Sequence, residues 1–166
     1  MKKTRTVSQA LIGGIFALFA ASAIAAGWVK YESKPYGFSM LIPAGTAVKE
    51  TEQGGEWGGL TAVREGVKLS GLAKLGAKET DEAIEKYAIS KIGIPASAWT
   101  KVDEGTDANG WSRYRVFKAT QGAKLVFGAY GVGPKGNYLL YLETTPADYD
   151  AHKDEYDKWY ESISVK

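Results

Sequence analysis

The chain has 166 residues, of which 21 are basic and 19 acidic, and it contains no cysteine. Without cysteine, disulfide staples, zinc–thiolate sites, thioether-linked haem and thiol redox chemistry are excluded. The formal charge of +2 is not a nucleic-acid signal, because it originates in the first few residues and not in a basic surface.

Lys2, Lys3 and Arg5 precede the apolar run "ALIGGIFALFAASAIA", and Ala23-Ile24-Ala25 supplies a small-x-small pattern. That order of basic, apolar and small residues predicts an export signal over residues 1–25, cleaved after Ala25. The apolar run is short for a bilayer, which needs about 20 such residues. Removal leaves 18 basic against 19 acidic residues, a net charge of −1. The expectation is one domain over residues 26–166, periplasmic or secreted, with no stable membrane anchor. A chain of this size buries about two-thirds of its unfolded surface. Five Trp and ten Tyr, all beyond the signal, supply large side chains for that core.

"WVKYE" and "YGFSMLIP" read as strands. In the second, Tyr36, Phe38, Met40 and Ile42 alternate onto one face, and Pro43 ends the ladder. "QGGEWGGL" places Trp57 between glycine pairs, as a recognition residue on a mobile loop or as an anchor folded back onto the domain. "LTAVREGVKLSGLAKL" reads as a hairpin turning at Glu65-Gly66.

The period then changes. Thr80 caps a helix in which Ile84, Tyr87, Ala88 and Ile92 share a face, and Gly93 with Pro95 ends it. Four strands follow, in "SAWTKVDE", "GWSRYRVFKAT", "AKLVFGAYGV" and "NYLLYLETT". The last two are apolar on both faces, which places them mid-sheet. Short turns make the pairing antiparallel. Trp111, Arg113, Arg115 and Phe117 are predicted on one strand face, where they could grip an anionic ligand or an acidic partner. The other reading is that the arginine stems cover apolar rings. A second helix starts with Thr145 as N-cap and Pro146 at N1, with Tyr149, Tyr156, Tyr160 and Ile163 toward the core. The fold class is α+β, an antiparallel sheet flanked by helices.

Gly131, Gly133 and Gly136 match G-x-G-x-x-G. A dinucleotide site needs a helix after the glycines, and here a strand follows, so "GVGPKG" reads as a hairpin loop. Asp148, Asp150, His152 and Asp154 alternate like a calcium loop, but the required glycine and glutamate positions hold Lys153 and Trp159. A partial surface metal site at His152 with Asp148 or Glu155 stands beside a solvated acidic face containing an Asp154–Lys158 pair. The chain carries one His and lacks the G-x-S-x-G and H-E-x-x-H motifs. No cofactor is called for.

"YGFSMLIPAG" and the run "GWSRYRVFKATQGAKLVFGAYGVGPKGNYLLYLETTPADYDAHKDEYDKWYESI" resemble the PsbP-like superfamily. That group includes the PsbP proteins, bacterial periplasmic DcrB-like proteins and the Ran-binding nuclear-import protein of the same fold. The pattern departs at Gln53–Leu60 and at Thr46. The resemblance implies an α/β/α sandwich and a binding or accessory role without a catalytic motif, so no functional residue carries over from it. The expected function is therefore an exported, non-catalytic interaction protein binding another envelope protein, near Trp57 or the Arg113/Arg115 face. The alternatives are a small-ligand or metal-binding periplasmic protein and, third, a carboxylate-based hydrolase of envelope polymers.

Overall fold

A computed structural model describes residues 27–54 and 56–166; the export signal expected over 1–25 lies outside them. Ten strands and three helices follow in the order β1 (Trp28–Ser33), β2 (Phe38–Pro43), β3 (Glu50–Gly54), β4 (Trp57–Arg64), β5 (Val67–Leu75), α1 (Asp81–Ile92), β6 (Trp99–Ala108), β7 (Trp111–Gln121), β8 (Lys124–Val132), β9 (Gly136–Thr144), α2 (Pro146–Ala151), α3 (Lys153–Glu161) and β10 (Ser164–Val165). A single 3₁₀ turn at Ala96–Ala98 leads into β6.

Seven strands form one antiparallel sheet in the order β3-β4-β5-β9-β8-β7-β6. The doubly apolar strands β8 and β9 are interior, as their composition requires. Glu65 and Gly66 both take positive φ, 52° and 83°, and turn β4 into β5 with Arg64 opposite Val67. That is the twist-matched hairpin turn.

α1 covers one face of the sheet. Ile84, Ala88 and Ile92 pack there with Leu72, Phe117, Val126, Tyr130, Leu139 and Tyr141. Thr80 accepts from the Ala83 N–H at 3.3 Å, and Gly93 closes the helix in the left-handed region. The opposite face carries a mixed layer. A three-stranded sheet, ordered β1-β2-β10, brings Phe38, Met40 and Ile42 onto Leu60, Leu69 and Leu140, beside Tyr149, Tyr156 and Trp159 of α2 and α3.

The second helix departs from its expected continuity. It breaks at His152, which has φ −121° and ψ 23° and caps both pieces. The break lies where Asp148 is held by three partners, the Thr144 hydroxyl at 2.6 Å, the Tyr156 hydroxyl and His152 Nδ1 at 3.1 Å. Ile163 falls beyond α3, in the link to β10, whose Val165 pairs with Phe38. The ion pair recorded on α3 is Lys153–Asp157.

The three glycines of "GVGPKG" join β8 to β9, with the Gly133 N–H donating to the Gly136 carbonyl at 2.9 Å. A Cβ on Gly131 would lie 2.1 Å from the Arg113 carbonyl oxygen, and one on Gly136 2.1 Å from that of Lys74. These glycines are set by close backbone approach within the sheet, not by a phosphate.

Candidate functional site

The site is built from the first turns of α1 and the outer strands β6 and β7. Asn137, fully buried, anchors the segment before α1. Its side-chain oxygen accepts from the Glu79 N–H, and its amide donates to Glu79 Oε2, both at 3.1 Å. The Thr80 cap then directs Asp81 and, one turn later, Glu85 toward β7. Spacing four residues apart on a helix places both carboxylates on one side.

Arg113 and Arg115, two apart on β7, meet them. Arg113 Nε donates to Asp81 Oδ1 at 2.7 Å, and its guanidinium also reaches the Glu79 carbonyl. Arg115 lies 3.4 Å from Asp81, 3.6 Å from Glu85 and 3.6 Å from Glu104 of β6. Tyr130, opposite Arg115 on β8, donates its hydroxyl to Glu85. Burial first, then the bond to Glu85, pushes the Tyr130 phenol well above its ordinary value. It remains protonated at neutral pH and offers no general base.

An open groove of about 400 Å³ lies beside this network, lined by Trp99, Phe117, Arg115, Glu104, Glu85 and Tyr130. Trp99 stacks on Phe117 with centroids 4.3 Å apart and planes 15° from parallel. Its indole N–H donates to the Ile94 carbonyl at 2.9 Å, which locks the ring. The groove thus has a rigid aromatic wall and a rim of charges already paired with one another. Such a surface is suited to receiving a side chain of a partner.

No protein-family model matches the chain, and no curated protein matches it. Among solved structures, the solution structure of cyanobacterial PsbP (CyanoP) from Synechocystis sp. PCC 6803 aligns with a TM-score of 0.58 and 13% identity. The alignment covers 93% of this chain and 99% of that one. The fold is PsbP-like.

In this PsbP-like domain the residues expected to act together are separated. Trp57 opens β4 instead of riding on a mobile loop. It is 4% exposed and lies against Tyr87 of α1. Trp111 is 5% exposed and packs in the opposite core, edge-on to Tyr138 at 5.9 Å. It therefore does not share a face with Arg113, Arg115 and Phe117. The β8 partners of β7 begin at Arg113, while Trp111 is paired with Ala108 of β6. Packing claims both tryptophans, and of Trp57, Trp111, Arg113 and Arg115 only Arg115 lines the groove, with Arg113 held by Asp81 and the Glu79 carbonyl.

His152, Asp148 and Glu155 line a different cavity of about 340 Å³, on the α2–α3 side. Asp148 is already engaged by Thr144, Tyr156 and His152. Among the described residues no three His, Asp or Glu side chains stand where they could hold a metal ion. No helix among them is long and apolar enough to cross a membrane.

Trp99, Glu104, Glu85 and Tyr130 were not legible as site residues. β6 carries a bulge, with Lys101 opposite Phe117 and Asp103 opposite Val116, so the extra residue Val102 brings to one side Trp99 and Glu104, which strict alternation would place on opposite faces. The available signal was the pairing of two acids four apart at a helix start with two arginines two apart on a strand.

Proposed function

We propose that this chain is an exported, non-catalytic accessory protein that binds another protein of the cell envelope, using the groove between β6, β7 and α1. The observation that carries the reading is the groove itself. It is an open cavity with a locked aromatic wall, and its charged groups neutralise one another. Catalysis draws on groups with an unsatisfied proton or a free lone pair held at a reacting atom. Here Arg115 is surrounded by carboxylates and Tyr130 stays protonated. The PsbP-like fold supports an accessory role, and the N-terminal pattern of residues 1–25 supports delivery to the periplasm or beyond.

The experiment is site-directed photo-crosslinking from Thr100 in the native host, with Ala96→Trp as the blocking variant. Ala96 lines the groove and is exposed, so a bulky ring there fills the cavity without removing an ion pair. A discrete envelope protein should be recovered by the unblocked chain and lost with Ala96→Trp. Recovery of none, or equal recovery by the blocked variant, rejects the reading. N-terminal sequencing of the exported protein should begin at Ala26.

A further inference from the structure

β6 is an outermost strand of the seven-stranded sheet, and among the described residues only β7 pairs with it. It runs for ten residues, against five for β3 at the other edge. An edge strand presents unpaired N–H and C=O groups to any extended chain that reaches it.

Two cavities flank this edge, one on each face of the sheet. The groove described above takes its wall from Trp99, Thr100, Lys101 and Glu104 of β6 itself. On the other face, at the far end of the strand, a pocket of about 130 Å³ is lined by Ala108, Trp111, Tyr114 and Tyr160. Successive side chains of a strand point to opposite faces. A chain laid along β6 would therefore send its side chains alternately toward the two cavities, the arrangement that gives strand-addition sites their specificity.

The charge of the edge selects the occupant. Asp103, Glu104 and Asp107 are all exposed on β6. Its one basic residue, Lys101, is paired with Glu104 at 2.8 Å. A second copy of this chain would present the same acids, and like charges facing across strands are destabilising. Two irregularities set the reach of the pairing. Val102, 54% exposed, is the extra residue of the bulge, and Asp107 has φ 54°. The regular stretch between them is Asp103–Thr106. Within it the Asp103 carboxylate accepts the Glu104 N–H at 2.8 Å, a bond that a carbonyl of the incoming chain can replace.

We propose that an extended, basic segment of a partner protein adds to β6 as a further strand, pairing along Asp103–Thr106 and placing apolar side chains in the two flanking cavities. This rests on the interaction reading above and names its partner's chemistry.

The test uses the purified protein and a short fluorescent peptide rich in lysine, with a valine and a phenylalanine an odd number of residues apart so that they face opposite sides of the strand, followed by anisotropy. Three controls accompany it: the same peptide N-methylated at alternate amides, a version with glutamate for lysine, and the combined variant Asp103→Asn, Glu104→Gln, Asp107→Asn. The lysine peptide should bind, and its addition should slow amide exchange at Asp103–Thr106. N-methylation, which keeps the side chains but removes backbone donors, should weaken binding about tenfold or more. The glutamate peptide and the neutralised edge should each lose affinity severalfold. Equal binding by the N-methylated or glutamate peptide overturns the proposal, as does no binding at all. A dimer in sedimentation that protects the same amides and is not displaced by peptide also overturns it. Loss of the envelope cross-link from Thr100 with peptide binding intact rejects the broader reading only. The converse rejects strand addition only.

Discussion

Trp57 lies flat against Tyr87, with ring centroids 4.0 Å apart and planes 3° from parallel. The contact ties the start of β4 to α1 across one face of the sheet, and it fixes what each aromatic does. The Tyr87 hydroxyl is buried without a partner, and burial pushes its phenol up to about 12. Trp57→Ala should therefore lower unfolding free energy by about 3–5 kcal/mol, the range for deleting a buried large aromatic. Trp57→Phe, which keeps a ring on Tyr87, should lose less. Urea denaturation checks both. A Trp57→Ala protein with an unchanged midpoint and impaired partner capture would restore the tryptophan to a recognition role.

Gly131 and Gly136 have no room for a side chain, since an added Cβ on either meets a backbone carbonyl at 2.1 Å. Backbone cannot rotate away as a side-chain tip can. Gly131→Ala and Gly136→Ala should each destabilise by about 1–3 kcal/mol through overpacking, seen as a lower thermal midpoint by circular dichroism. Titration of the unmodified chain with ATP or NAD should show no binding. Nucleotide affinity abolished by either substitution would return the motif to phosphate chemistry.

The acid limb of stability should depend on Asp148. Partial burial opposes its ionisation, but hydrogen bonds from Thr144 and Tyr156, with His152 nearby, outweigh that and hold the carboxyl below its ordinary value near 3.8. A carboxylate whose folded value is depressed contributes stability that is present above the unfolded value and is lost as pH falls through the folded one. Asp148→Asn should thus be less stable than the parent at pH 7, with the gap closing below about pH 4. Urea midpoints across that range test it. A gap that stays constant to low pH would mean that the substitution acts by packing alone.

Much of the architecture was legible because it rests on local chemistry. The Thr80 and Thr145 caps, the Glu65-Gly66 turn and the glycine stop at Gly93 each satisfy backbone groups within a few residues of themselves. Periods of two and of 3.6 identify strands and helices wherever one face is buried. The strands apolar on both sides, Leu125–Val132 and Asn137–Thr144, could only belong in the middle of a covered sheet. The exclusion of thiol and thiolate-metal chemistry also needed nothing beyond the list of residues.

What depended on distant partners was not legible. The break at His152 coincides with three bonds to Asp148, one of them from Thr144 in the preceding strand. The two-residue strand Ser164–Val165 exists because β2 lies beside it. The opposed fates of Trp111 and Phe117 lie in the two different cores in which their rings pack. The groove unites Glu85, Trp99, Glu104, Arg115 and Tyr130 from four separate elements, and no spacing along the chain encodes that meeting. Sequence alone determined most of the elements, though not β3, β10 or the split of the last helix, and it excluded thiol chemistry. Tertiary packing decided which aromatics are core and which charges neutralise one another, because burial and Coulomb attraction act through space and not along the chain.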